Sequence, residues 1–407
     1  MIAYSDGNSD TRPEPGHRKF PDGPQASLPG LSALPAGSSV LVVLFGRIGD
    51  VLFTLPSVAA LKKSRPDLSI DWLVEDRCSD LVLGHPALRS VLLFRRSELS
   101  KAVRRGQFLH AAKILGNLVA DLRRERYGAV LDFQGLLKSG IATFLARGKI
   151  KLGSPSTYGR MKEGAGLFSR QVPLKRDGMH LVERHALVIS SLLGQEVAPE
   201  PVKIEFTAEE RMRVLSLVGT DPYLLLHPFA SWETRNWPRD SWFRVVSRLW
   251  REGFRIVLAG AGGPDQKTME EVLHRATGGA LCSLLGQLSL RELALAMAGA
   301  DAVLAVDSGP MHLASAMGVP VLALFGPTDP VRLGPFGPRS TDAGLGRTGR
   351  VLTAGLACQP CMMRRCPIGT PCQTELSPDQ VVDGFYTLMS KIGKRPIPGS
   401  SSPETRP

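Results

Sequence analysis

What the 407-residue sequence lacks narrows it first. It has no run of about 18 consecutive apolar residues, the length a membrane-spanning helix needs, and its longest apolar stretches are strand-length pieces such as Val40-Leu41-Val42-Val43-Leu44-Phe45. The N-terminus has no basic segment followed by an apolar one, so no secretory signal is read and a cytoplasmic chain is expected. No D-x-D triplet occurs anywhere, which removes the usual carboxylate arrangement for a metal-bound nucleotide. Acidic residues fall short of basic ones, 38 Asp+Glu against 50 Lys+Arg, leaving a formal charge of +12. That deficit points to anionic partners: nucleic acid, a membrane surface or phosphorylated small molecules. No DNA- or RNA-binding motif accompanies the charge, so nucleic acid ranks last of the three.

What is present is ordinary globular material. Hydrophobic residues make up 43% and charged residues 22%, enough to build a sizeable core in each of two domains. Residues 1–39 are rich in Pro, Gly, Ser and Asp and are expected to be a disordered leader, as are residues 394–407 at the other end. Between them short apolar runs alternate with longer amphipathic stretches, the pattern of βαβ units on a parallel sheet. Strands are expected at residues 40–45, 70–74, 91–94 and 129–133. A second series follows at 223–227, 255–260, 302–306 and 320–325. Pro199 and Pro201 interrupt any helix between the series, so the expected division is an N-terminal Rossmann-like domain over 40–200 and a C-terminal one over 201–393. In such a layout a ligand belongs in the cleft at the carboxyl ends of the strands.

Four loops following strands carry the candidate chemistry. Gly46-Arg47-Ile48-Gly49-Asp50 joins a strand to a helix, without the spacing of a dinucleotide fingerprint or a P-loop. Asp50 is either a carboxylate interacting with the helix N-terminus or a general base facing the cleft. The loop from His227 to Pro238 gathers Ser231, Arg235 and Asn236, donors suited to a phosphate, while Trp237 and Trp242 read as packing residues. Asp307-Ser308-Gly309-Pro310-Met311-His312 again precedes a helix, whose free N–H groups suit an anion; the alternative is an Asp/Ser cap with a buried histidine. Gly260-Ala261-Gly262-Gly263-Pro264-Asp265 either lets a nucleotide lie against backbone, with Asp265 near a ribose, or is a plain connection.

Taken together, Asp50, Thr234-Arg235-Asn236-Trp237-Pro238, the segment from Asp307 through Ala316, and Phe325-Gly326-Pro327-Thr328-Asp329-Pro330 resemble glycosyltransferase family 9, the ADP-heptose:lipopolysaccharide heptosyltransferases. The resemblance spans most of the chain, with the motifs in order. It implies an α/β fold of GT-B architecture, two Rossmann-like domains facing each other across a cleft, with acceptor on the N-terminal and donor on the C-terminal domain. It also implies an inverting transfer that needs no metal and no cofactor. Asp50 matches the family's general base. Ser231, Arg235, Asp265, Asp307, Ser308, Gly309 and His312 become the donor-binding candidates, although Asp265 departs from the Glu common in the family, and Thr328 receives no chemical role.

Asp132-Phe133-Gln134-Gly135-Leu136-Leu137-Lys138-Ser139, the run from Tyr158 to Ala165 and His180-Leu181-Val182-Glu183-Arg184-His185 look most like the type I enzymes, which add heptose to Kdo. Lys138, Arg160 and Lys162 are then candidates for an acidic acceptor. The partners so implied are ADP-heptose or a similar nucleotide sugar, a Kdo-lipid A type acceptor and the anionic cytoplasmic face of the inner membrane. A family relative using another sugar or acceptor, and a non-catalytic nucleotide-sugar-binding protein, remain as alternatives.

Two further features stand apart. Residues 95–126 hold nine basic against three acidic side chains, interleaved with Leu99, Val103, Phe108, Ile114, Leu115, Leu118 and Leu122; this is either a solvated helix face or a surface for anionic lipid. Cys358, Cys361, Cys366 and Cys372 form C-x2-C-x4-C-x5-C, which is either a set of reduced thiols, a redox-labile pair, or a structural site for Zn²⁺ or an iron-sulfur cluster. Cys78 and Cys282 read as inert, packed residues.

Overall fold

The computed structural model describes residues 34–154, 166–338 and 345–391. The N-terminal half lays six strands in one parallel sheet: β1 (Ser39–Val43), β2 (Ser69–Glu75), β3 (Ser90–Phe94), β4 (Arg126–Asp132), β5 (Arg147–Gly153) and β6 (Arg170–Gln171), in the order β3-β2-β1-β4-β5-β6. Helices α1 (Ile48–Ser64) and α5 (Leu181–Leu193) pack together, while α2 (Arg96–Arg104), α3 (Phe108–Arg124) and α4 (Leu137–Leu145) connect β3 to β4 and β4 to β5. A separate apolar cluster joins Leu122 of α3 and Ala142 of α4 to Leu41, Val43 and Val130 of the sheet.

The C-terminal half repeats the plan after α6 (Ala208–Val218). Its strands β7 (Leu224–His227), β8 (Ile256–Leu258), β9 (Cys282–Ser283), β10 (Ala302–Val306), β11 (Val321–Leu324) and β14 (Arg350–Leu352) form a second parallel sheet in the order β14-β11-β10-β7-β8-β9. Its helices are α7 (Arg239–Arg251), α8 (Pro264–Ala276), α9 (Leu290–Ala298), α10 (Gly309–Ala316), the short α11 (Pro330–Leu333) and α12 (Pro371–Thr374), and α13 (Pro378–Lys391); β12 (Phe336–Pro338) and β13 (Leu345–Arg347) make a separate hairpin. Trp237 and Trp242 are buried edge to face at 5.2 Å, as packing residues.

Both sheets are purely parallel, and their central strands are buried on both faces, which explains why they appear in the sequence as continuous apolar runs rather than alternating ones. Each strand order reverses once, between β1 and β4 in the first sheet and between β7 and β10 in the second. Loops leaving strands at such a reversal diverge and open a crevice. Residues 46–50 and 133–136 leave one reversal; residues 228–236 and 307–308 leave the other.

Candidate active site

After β1 the chain turns at Gly46, whose φ of +138° only glycine adopts readily. A Cβ there would lie 3.0 Å from Cys78 Sγ. The turn is held by Gln134 from the loop after β4: the Phe45 amide donates to Gln134 Oε1 at 3.2 Å, and Gln134 Nε2 donates to the Gly46 carbonyl at 3.1 Å. Gln134 is fixed in turn because its own amide donates to Asp132 Oδ1 at 2.9 Å, beside Gly135 N at 3.0 Å and Ser139 Oγ on Oδ2 at 3.0 Å.

Asp50 follows in the first turn of α1. Arg47 occupies the N-cap position without a side-chain cap bond, so the Asp50 carboxylate is not the helix cap. Burial pushes its pKa up to about 6, against the lowering pull of Arg47, Lys138 and Arg235. Helix-dipole attraction would also favour the carboxylate, so desolvation is the larger effect here. A carboxylate poised near neutrality is suited to accept a proton.

Across the crevice, Arg235 ends a short 3-10 turn, Glu233–Arg235. Its Nε lies 3.2 Å from Asp307 Oδ2, and its guanidinium carbon lies 3.9 Å over the Trp232 ring. Asp307 is 1% exposed and also accepts a hydrogen bond from the Thr328 hydroxyl. Burial raises the Asp307 pKa, while Arg235 and then Thr328 oppose the shift. Ser308 stands at the N-cap of α10 with no side-chain cap bond, its Oγ 3.4 Å from His227 Nδ1. Because Pro310 has no N–H, the first-turn donors left for an anion are the Gly309 and Met311 amides. His312 is buried, and desolvation, aided by His180 and Arg235, holds its pKa down to about 3; the ring near Asp307 is therefore neutral.

The two helix N-termini nearly touch. A Cβ on Gly49 would come within 2.8 Å of His312 Cδ2, and one on Gly309 within 2.8 Å of Ile48 Cβ. Phe53 meets His312 edge to face at 4.5 Å. His180 stacks on Phe336 at 4.4 Å, with its Nε2 3.1 Å from the Gly334 carbonyl. Asp50 and Arg235 thus face one crevice from opposite domains.

The remaining candidates divide. Lys138 is not a free cation: its Nζ lies 2.8 Å from Glu75 Oε1, a carboxylate it shares with Arg96 at 3.0 Å. Ser231 is exposed, and Asp265 is exposed in the first turn of α8. The glycines before Asp265 answer to packing, since a Cβ on Gly260 would strike Gln266, Leu285 and Phe229, and one on Gly262 would meet Gly286 at 3.1 Å. Arg160 and Lys162 lie outside the described residues.

Cys358 and Cys361 are exposed, Cys366 is half-buried and Cys372 is buried. Burial pushes the Cys372 thiol up to about 11, with the neighbouring Cys361, Cys358 and Cys366 adding to the rise. Among the described residues no three His, Cys, Asp or Glu side chains are arranged to hold a metal ion. The segment carrying the cysteines braces the loops that hold Thr234, Gly326 and Pro327. Gln359 Nε2 donates to the Gly326 carbonyl at 2.7 Å, Met362 N to Pro327 O at 2.7 Å, and Thr234 Oγ1 to Met363 O at 3.0 Å. Sequence reasoning gave no such role to this segment, nor to Gln134 and Thr328; their partners lie far away in the chain. Cys282, expected in a packed position, is only partly buried.

Comparisons with known proteins bear on the family and the fold. A family model described as glycosyltransferase family 9 (heptosyltransferase) matches residues 115–367, more than half of the chain. Lipopolysaccharide heptosyltransferase 1 of Pseudomonas aeruginosa is 29% identical over 331 residues, covering 80% of this chain and 87% of that protein. A glycosyl transferase family 9 structure from Veillonella parvula superposes with a TM-score of 0.70 at 19% identity, covering 88% of this chain and all of that one. The Escherichia coli heptosyltransferase WaaC with ADP-2-deoxy-2-fluoro heptose superposes with a TM-score of 0.62 at 25% identity, covering 86% and 99%. With two parallel sheets opening on one crevice, the chain is a glycosyltransferase and belongs to family 9.

Proposed function

We propose that the protein transfers heptose from ADP-heptose to the Kdo/heptose inner core of lipopolysaccharide, by an inverting reaction that uses no metal. The donor is supported by the relative whose structure holds an ADP-heptose analogue, and the acceptor by the name of the Pseudomonas relative. The observation that carries the reading is Asp50, a carboxylate raised to about 6 in a crevice whose opposite wall holds Arg235 and the N-terminus of α10.

In the proposed step, residues 40–200 hold the acceptor and residues 201–393 the donor. Asp50 takes the proton from the acceptor hydroxyl as its oxygen bonds to the anomeric carbon. The bond from that carbon to the diphosphate oxygen breaks on the opposite face, so the configuration inverts and ADP leaves. Charge developing on the leaving diphosphate meets Arg235, the Gly309 and Met311 amides and the Ser308 hydroxyl, fixed dipoles that stabilise it without reorganisation. Asp307 and Thr328 hold the guanidinium in place. Lys138 and Arg96 share the single Glu75 carboxylate, so one net positive charge is left for the acidic acceptor, and the enzyme works at the anionic cytoplasmic face of the inner membrane. The test is transfer of labelled heptose from ADP-heptose to Kdo-lipid A, with UDP-sugars as competing donors and EDTA added. Robust EDTA-resistant transfer from ADP-heptose is expected; preference for a UDP-sugar overturns the donor, and loss of transfer on chelation overturns the metal-free step.

A further inference from the structure

Most of the large hydrophobic side chains exposed among the described residues lie between positions 93 and 167. On α4, Leu137, Ile141 and Phe144 are exposed, Phe144 at 64%, while Ser139, Gly140, Ala142 and Thr143 are buried. Positions i, i+4 and i+7 share one face of a helix, so these three form a single outward apolar stripe. On the adjacent α3, Ala111, Ile114 and Leu122 are buried, Leu122 against the sheet, leaving Phe108 at 70% and Leu115 exposed along an outer flank, with Leu109 at 90% beside them. Both helices run back from the cleft end of the sheet, so Phe108 and Leu137 begin their stripes at that end, and Leu115 and Phe144 lie about two turns further along. Phe168 packs edge to face on Phe144 at 5.9 Å, which brings the exposed Leu167 to the same patch.

Cations border this layer. Lys101, Arg104, Arg105 and Lys113 are exposed on α2, α3 and the turn between them, and Lys151 Nζ lies 5.7 Å over the Phe144 ring. Of the apolar residues interleaved in 95–126, Ile114 and Leu122 are buried, whereas α4, outside that segment, supplies three exposed ones. No helix among the described residues is long and apolar enough to cross a membrane. Aromatic and aliphatic side chains ringed by Lys and Arg suit the boundary between acyl chains and anionic headgroups.

We propose that the outer face of α3 and α4 docks on an anionic lipid bilayer. The proposal rests on the reading of a membrane-embedded acceptor and names the surface that meets it. Lys138, next to Leu137 at the cleft end of the stripe, is one of the cations acting on Asp50, so docking by this face brings the mouth of the crevice to the bilayer.

The test uses the full chain and vesicles of phosphatidylethanolamine and phosphatidylglycerol, with phosphatidylcholine vesicles as control. Wild type is expected to sediment with the anionic vesicles, and less so at high salt. Ile141→Asp/Phe144→Asp, and separately Leu109→Asp, are expected to lower the bound fraction at least tenfold with unchanged Tm. They should also slow transfer to a vesicle-embedded acceptor while leaving transfer to a delipidated, water-soluble acceptor intact. Undiminished vesicle binding by folded variants overturns the proposal, as does concentration-dependent self-association abolished by the same substitutions without any lipid binding. If wild type binds vesicles through this face yet transfers no heptose to either acceptor, the docking stands and the proposed reaction falls.

Discussion

Gly49 of α1 stands so close to His312 of α10 that a Cβ on the glycine would lie 2.8 Å from the imidazole Cδ2. The helix bearing the proposed base and the helix bearing the proposed anion site are held at a separation that one methyl group would change. Gly49→Ala should therefore force the two N-termini apart. Overpacking typically costs about 1–3 kcal/mol, and the expected result is a loss of about tenfold in kcat/KM, larger than any fall in Tm because alanine favours the helix itself. Steady-state kinetics beside a melting curve check this; unchanged kcat/KM would show that the contact does not set the approach of the domains.

The raised pKa of Asp50 predicts both a pH profile and a stability effect. A base must be ionised, so kcat/KM should fall as pH drops through about 6 and be level above it. Asp50→Ala should lower kcat by about 100-fold or more, the usual scale for a general base, with ADP affinity retained. The sign for stability is opposite. A carboxyl raised from 3.8 to about 6 on folding destabilises the fold when ionised, and this penalty fades as pH falls from above 6 towards 4. Asp50→Asn should therefore raise Tm at pH 7.5 more than at pH 4.

Gln134 bridges both sides of the Gly46 turn at 3.2 and 3.1 Å. Gln134→Ala removes two hydrogen bonds, each worth about 0.5–1.5 kcal/mol net, and should loosen the loop leading to Asp50. A fall of about tenfold in kcat with little change in donor affinity is expected by calorimetry and kinetics together. Gln134→Glu, which loses the donor to the Gly46 carbonyl, should be no better; full activity in both variants would make the bridge incidental.

Arg235 and Asp307 form a pair that is hard to break from one side. Arg235→Met leaves Asp307 buried without its cation, and breaking such a pair commonly costs about 3–5 kcal/mol. Removing both charges in Arg235→Met/Asp307→Asn should restore much of the stability in denaturant titrations. Neither variant should recover ADP affinity, because the cation proposed for the diphosphate is gone in both.

Sequence by itself determined the central strands of both sheets, while β5, β6, β9 and β14, which have no continuous apolar run, became visible only in the fold. Val40 to Val43, Leu224 to Leu226 and Ala302 to Val306 are buried on both faces of parallel sheets, so local composition announces them. Asp50, Arg235 and Ser308 lie in the loops after such runs, which made them candidates, and the chemistry proposed for them came with the family resemblance. Tertiary structure decided which of these groups act on one another. Thr328 reaches Asp307 across 21 residues, Gln134 reaches Phe45 across 89, and Thr234 reaches Met363 across 129. Periodicity tells which way a side chain points but not what waits there. For that reason Lys138 and Glu75 could not be paired in advance, the buried Ile114 and Leu122 could not be told from the exposed Phe108 and Leu115, and the cysteine-bearing segment showed its bracing role only once its backbone lay against Gly326 and Pro327.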